Sequence, residues 1–235
     1  MLDLCRGPDA PASAQRAAHG TYPIVAWSRN GALTWGVEAI MLSAGTNVEW
    51  LRDDLGLVET DAQTHDVAAT LPTTDGLVYV PALLGLGTPH WDYGARGTLL
   101  GITRGTTAAH VVRAVLEGVA QRGADLVEAA ESDTGLSIET VRVDGGMSEN
   151  PTFVQAVADA TGRPVEVYPV VDATTIGAAY LAGLATGVWG DMDDADTAWR
   201  PARVVEPGAQ LDRAVWARAV ERAAGWIPEL SALDF

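Results

Sequence analysis

The stretch between Val141 and Tyr168 constrains the fold more than any other part of the chain. Val141-Arg142-Val143 is short and rich in β-branched residues, and Asp144-Gly145-Gly146 ends it. Asn150 then stands as a helix cap with Pro151 at the first helical position, where its missing N–H costs nothing. Phe153, Val154, Val157 and Ala160 recur at helical spacing, and Gly162 supplies a stop. A second strand is predicted over residues 165–168. Strand, helix and strand in that length make a βαβ unit with a right-handed crossover. All-α and all-β architectures are thereby excluded.

The rest of the chain agrees with an α/β reading. Short strand-like runs occupy residues 1–5, 22–28 and 33–37, and the last two flank Arg29-Asn30-Gly31, a strong hairpin signal. Ile40, Leu42, Val48, Leu51 and Leu55 give residues 39–55 a helical apolar side. Further short runs lie at 77–81 and 99–103, on either side of a glycine-rich loop at 85–97. The strongest helix starts at Thr106-Thr107, with Val112, Val115, Leu116, Val119 and Leu126 on one face. A last helix is predicted over about residues 210–224. The expected architecture is an α/β domain with a mixed sheet flanked by helices.

Composition closes off several functions. Of 235 residues, 48% are hydrophobic, which supplies a real core, and the single Cys5 cannot form an internal bridge. Fifteen basic against 31 acidic residues leave a net charge of −16, a field that repels phosphate backbones, so no nucleic-acid partner is expected. All fifteen basic residues are arginine, which excludes the lysine-dependent P-loop and Schiff-base chemistry. Asp3, Arg6 and Asp9 interrupt the region where a signal peptide needs its apolar core. Residues 173–190 are uncharged, but they are mostly Ala, Gly and Thr, and the expectation is a buried helix packed through its small side chains. The chain therefore reads as cytoplasmic, with no membrane partner.

Among sites for chemistry, the turn 143–151 ranks first. Ligands in open α/β sheets bind beyond the carboxyl ends of strands, and two glycines there let backbone approach a ligand. The helix behind the turn offers free N–H groups that suit a nucleotide. An Asp-Gly-Gly turn is, by itself, more often an ordinary connection in which Asp144 and Asn150 bond nearby backbone. His19, His65, His90 and His110 are too far apart for helical metal-ligand spacing, and no Gly-x-Ser-x-Gly occurs. Asp133-Thr134-Gly135 reads as a loop and the acidic run 191–196 as a solvated turn or helix start. The eight tryptophans read as core or interface residues, with Trp91 set apart by its place in the glycine-rich loop.

At Gly85-Leu-Gly-Thr-Pro-His-Trp-Asp-Tyr-Gly-Ala-Arg-Gly97, continuing to Gly101-Ile-Thr-Arg-Gly105, the chain resembles the FGGY carbohydrate kinases, most closely the glycerol-phosphorylating branch. Ala44-Gly45 with Trp50-Leu51-Arg52-Asp53, the 141–146 turn, Ile176-Gly-Ala-Ala-Tyr-Leu-Ala-Gly-Leu-Ala185, and Trp216 with residues 219–222 and Trp226 extend the match over nearly the whole chain. The resemblance implies a ribonuclease-H-like, actin-like ATPase fold, of which residues 1–235 would be the second domain only. The first domain, its phosphate turn, the segment with the catalytic Asp, and the Gly-Thr-Gly loop that would directly precede Met1 would all be missing. It further implies ATP contacts at Gly45, Glu49, Gly146 and Asn150, with Mg2+ entering through the nucleotide. At position 49 such kinases commonly carry Gln, and a carboxylate cannot donate the hydrogen bond an amide can. The implied partners are ATP or ADP and, in the complete enzyme, glycerol or a related polyol; self-association into a homo-oligomer is also expected. Two alternatives stay open: a sugar kinase such as one for xylulose, where Glu-Arg is usual in place of Leu86-Gly87, and a non-catalytic nucleotide-binding or association module.

Overall fold

The chain is described as a computed structural model for residues 1–191 and 200–233. The hairpin forms where Asn30 and Gly31 ask for it. Both adopt positive φ (52° and 83°), as a two-residue primed turn requires, and Arg29 pairs with Ala32 across it. Strand β2 (Tyr22–Arg29) thereby lies antiparallel to β3 (Ala32–Ala39), and β1 (Leu2–Gly7) pairs antiparallel with the other side of β3. Ala39 belongs to this strand, so the helix predicted over 39–55 is much shorter. It is α1 (Thr46–Glu49), continued by a π-helical turn, Trp50–Asp54. The alternation of β3 runs on through Val37 and Ala39, both buried, and wins over the weaker helical pattern there.

Helix α2 (Gln63–Ala69) was not foreseen. Strands β4 (Val78–Val80) and β5 (Thr98–Leu100) form an antiparallel pair on either side of the glycine-rich loop, and Gly101, at φ +88°, ends β5 earlier than the sequence run suggests. Helix α3 (Ala108–Thr134) starts at Thr107, where Thr107 and His110 form a reciprocal cap. The βαβ unit is present as read: β6 (Val141–Val143), α4 (Pro151–Thr161) and β7 (Val165–Val167), with β6 parallel to β7 and Gly162 in the left-handed region at the helix end. Strand β8 (Arg203–Val205) adds antiparallel to β7 and makes the sheet mixed. Helices α6 (Arg213–Ala223) and α7 (Pro228–Ser231) complete the described chain, Asp212 capping the former two residues inside the predicted start.

Helix α5 (Ala173–Thr186) corrects an expectation. It forms, capped by Asp172, but only Gly183 and Leu184 are buried. Few other elements pack against it, and the notch at Gly183 is filled locally by Trp189, whose ring also stacks edge-on against Tyr180. Of the acidic run 191–196, residues 192–196 lie outside the described residues.

Helix α3 carries the structure. It buries Ala120, Ala124 and Val127 against Val141, Val154, Val157 and Val165 on one side. Val112, Val115 and Leu116 meet Leu51, Leu77 and Tyr79 on another. Arg122, fully buried, donates to Asp125 (2.6 Å) and to the Thr88 carbonyl (2.6 Å), and Asp125 also accepts from Trp216 Nε1 (3.0 Å) and from Arg213. The glycine-rich loop and α6 are thereby fixed to α3. The glycine-rich loop is held as scaffold: Trp91 Nε1 donates to the Gly20 carbonyl (2.8 Å), and Asp92 receives the amides of Gly94, Ala95 and Gly225.

Candidate functional site

Two separate pieces of the fold meet at one cleft of about 940 Å³. The first is β6 with the turn beyond it. Gly145 needs its positive φ (+82°), hands its amide to the Val171 carbonyl, and leads into a 3-10 turn, Gly146–Glu149. Ser148 Oγ returns to the Gly145 carbonyl at 2.7 Å and locks that turn. Asn150 caps α4 by accepting from the Phe153 amide (3.1 Å), while its Nδ2 donates to Thr64 Oγ1 at 2.8 Å. The second piece is α1 and α2. Asn47 is buried, donates to the Ala44 carbonyl and accepts from the Tyr79 hydroxyl at 2.8 Å, so the start of α1 is held rigidly. Burial also pushes the Tyr79 phenol far above its ordinary value, so it stays a donor.

Gly45, Glu49, Gly146 and Asn150, singled out from the sequence, all line this one cleft. Added β-carbons at Gly45 and Gly146 would meet no protein atom within 4 Å, so both glycines face open space. Glu49 is exposed, with its carboxylate on the rim. Asn150 is half-buried and already holds two protein partners, leaving one Nδ2 hydrogen for anything else. Sequence reasoning missed Thr64 and the rest of the α2 wall (Asp61, His65, Asp66), because a seven-residue helix without a strong apolar stripe gives little periodic signal.

The electrostatics of the rim are one-sided. Glu49, Asp61, Asp66, Asp144 and Glu149 face the cleft, against Arg142, whose guanidinium pairs with Glu166 at 3.0 Å. Such a rim disfavours a polyphosphate and suits the uncharged part of a ligand. Deeper in, the floor is apolar: Leu2, Val119, Leu126, Val127, Val141 and Val157. Among the described residues no cluster of three or more metal-binding side chains occurs, and no helix is long and apolar enough to cross a membrane.

A mixed sheet flanked by helices, with a cleft beyond the carboxyl end of β6, defines an α/β domain of the ribonuclease-H-like, actin-like ATPase class. Residues 8–186 match the C-terminal domain of the FGGY family of carbohydrate kinases, and the chain belongs to that family. It is 41% identical over 233 residues to a glycerol kinase of Rhodopirellula baltica, covering 97% of this chain and 42% of that protein. It is 42% identical over 212 residues to glycerol kinase 2 of Thermotoga maritima, covering 88% and 43%. In structure it is similar to Plasmodium falciparum glycerol kinase with ADP (TM-score 0.82, 28% identity, 94% of this chain and 44% of that one). A xylulose kinase from Rhodospirillum rubrum shares the fold (TM-score 0.66, 24% identity, 86% and 41%). The chain spans less than half the length of these relatives.

Proposed function

We propose that residues 1–235 are the nucleotide-side domain of an ATP-dependent polyol kinase that transfers the γ-phosphoryl group of MgATP to glycerol. The observation that carries this reading is the convergence of Gly45 and Glu49 on one wall with Gly146 and Asn150 on the other, in a chain 41–42% identical to glycerol kinases. Adenosine would lie between the two glycines, where backbone is open on both sides. The acidic rim directs the phosphates away from this half, toward donors and a general base that lie outside residues 1–235. Phosphoryl transfer needs a group to accept the hydroxyl proton and positive or N–H groups around the moving phosphoryl, and this half offers the binding surface for the nucleoside. A cytoplasmic location and self-association belong to the same proposal. The second is favoured by the apolar residues that α5 and its end leave exposed, Leu181 and Val188.

Grafting tests it. Residues 1–235 replace the corresponding part of the Rhodopirellula baltica glycerol kinase, and the chimera is assayed with MgATP and either glycerol or xylulose. The expected result is glycerol phosphorylation by the chimera and none by residues 1–235 alone. Turnover by the chain alone, or a chimera selective for xylulose, would contradict the proposal.

A further inference from the structure

Outside the nucleotide cleft, a second cavity of about 640 Å³ opens between α3, α4 and the segment 209–216 at the start of α6. Arg113, Glu117 and Gln121 stand four residues apart on α3 and line it as one stripe, and Gln155 and Asp159, also four apart, line it from α4. Their hydrogen bonds leave a definite remainder. Glu117 Oε1 accepts from Arg113 Nε at 2.7 Å, and Arg113 Nη1 donates to the Leu71 carbonyl at 2.6 Å. Asp159 Oδ1 accepts from Gln155 Nε2 (2.9 Å) and from the Gly208 amide (2.7 Å), while Gln155 Nε2 also reaches the Glu206 carbonyl (3.0 Å). Gln121, only 7% exposed, accepts at Oε1 from Arg213 at 2.7 Å. Among the described residues, Glu117 Oε2, Asp159 Oδ2 and Gln155 Oε1 therefore take no protein donor, and Gln121 Nε2 meets no protein acceptor.

Three acceptors, two of them carboxylate oxygens, against one donor ask for a ligand that is rich in N–H groups and positively charged. The charge balance agrees. Arg113 offsets Glu117, but among the described residues no cation pairs with Asp159. Burial and the nearby Asp159 charge raise the Glu117 carboxyl above its ordinary value even with Arg113 in contact, so the cavity holds negative charge that its own residues do not neutralise. We propose that this cavity binds a small primary amine as its ammonium ion, with the three N–H groups donating to Glu117, Asp159 and Gln155. A short carbon chain would lie against Leu211, Val215 and Trp216 and carry a hydroxyl to Gln121 Nε2. His65 and Pro151 border both cavities, but the inference does not depend on what binds in the cleft.

The test titrates 4-aminobutan-1-ol into the full chain without nucleotide, with 1,4-butanediol and 4-hydroxybutanoate as neutral and anionic counterparts, and follows the side-chain amides by NMR. The expected result is saturable binding of the amine with a Kd below about 10 mM and shifts of the Gln121 and Gln155 side-chain amides, the diol and the acid binding at least about tenfold more weakly. Asp159→Asn keeps an acceptor for Gln155 and Gly208 and removes the charge, and the folded variant should bind the amine about tenfold more weakly. Equal binding of amine and diol, no saturation by the amine, or shifts confined to other parts of the chain would overturn the proposal. So would an unchanged affinity in the folded variant. The comparison of the three ligands uses the native chain alone and decides even where Asp159→Asn does not fold.

Discussion

Asn150 Nδ2 donates to Thr64 Oγ1 at 2.8 Å, and this bond ties the turn that carries Gly146 to the helix forming the opposite wall of the cleft. Thr64 is fully buried, and its own hydroxyl also turns back to the Asp61 carbonyl. The spacing of the two walls therefore depends on this threonine, which no sequence pattern marks, together with the neighbouring contact of His65 Nδ1 with Thr152 Oγ1 at 2.8 Å.

Thr64→Val keeps the shape of the side chain and removes the hydroxyl. The variant should lose about 1–2 kcal/mol of stability in urea unfolding, the cost of a buried hydrogen bond whose remaining partner is left short. Adenosine affinity should fall several-fold as the walls loosen. Unchanged stability would show that the bond does not hold the cleft together.

Glu49→Gln replaces an acceptor-only group with one that can also donate, and removes one negative charge from a rim that already carries Asp61, Asp66, Asp144 and Glu149. Nucleotide binding measured by calorimetry should tighten two- to tenfold, with the larger gain for ADP than for adenosine because charge repulsion is relieved as well. Weaker binding would place Glu49 in a favourable contact as it stands.

The pH dependence of stability should report on Asp92. Burial alone would raise its pKa, but the hydrogen bonds it accepts from Ser231 Oγ and from the amides of Gly225, Gly94 and Ala95 outweigh that and hold the carboxyl below the usual range. With the folded value depressed, the unfolded chain takes up the proton first as pH falls. The stabilisation is complete above the unfolded value, about 4, and disappears as pH drops through the folded one. The difference in urea midpoint between the native chain and Asp92→Asn should be constant from pH 7 to 6 and shrink steadily below 4. A difference that does not change with pH would show that the charge on Asp92 contributes nothing.

Where sequence and structure agree, a local rule and the tertiary environment ask for the same thing. Asn30-Gly31, the Asn150 cap with Pro151, and Gly162 each fix backbone within a few residues, and all three were legible. The α5 helix was read correctly as a helix and wrongly as buried, since burial depends on what lies nearby and not on its own Ala and Gly content. Helix α2 and strand β8 carry too few residues for a period to emerge, and Thr64 matters through a contact 86 positions away. The 143–151 turn ranks first on residue chemistry, but residue chemistry alone favours an ordinary connection, and the family resemblance turns it into a candidate nucleotide contact. Gly45 and Glu49 come from the family resemblance, because nothing in the local sequence around α1 announces a ligand.

The central claim is that nucleoside lies against the open backbone of Gly146, and one substitution tests it. A β-carbon at Gly146 meets no protein atom within 4 Å and the residue does not need positive φ, so Gly146→Val can fold unchanged while filling the space assigned to the ligand. Adenosine is titrated into both proteins and followed by NMR, after circular dichroism shows the variant folded. The native chain should bind with a Kd on the order of 1 mM, about −4 kcal/mol, with shifts clustered at Gly45, Gly146 and Asn150, and the folded variant should show no saturable shifts. Equal binding by the folded variant, or shifts clustered away from this cleft, would contradict the account.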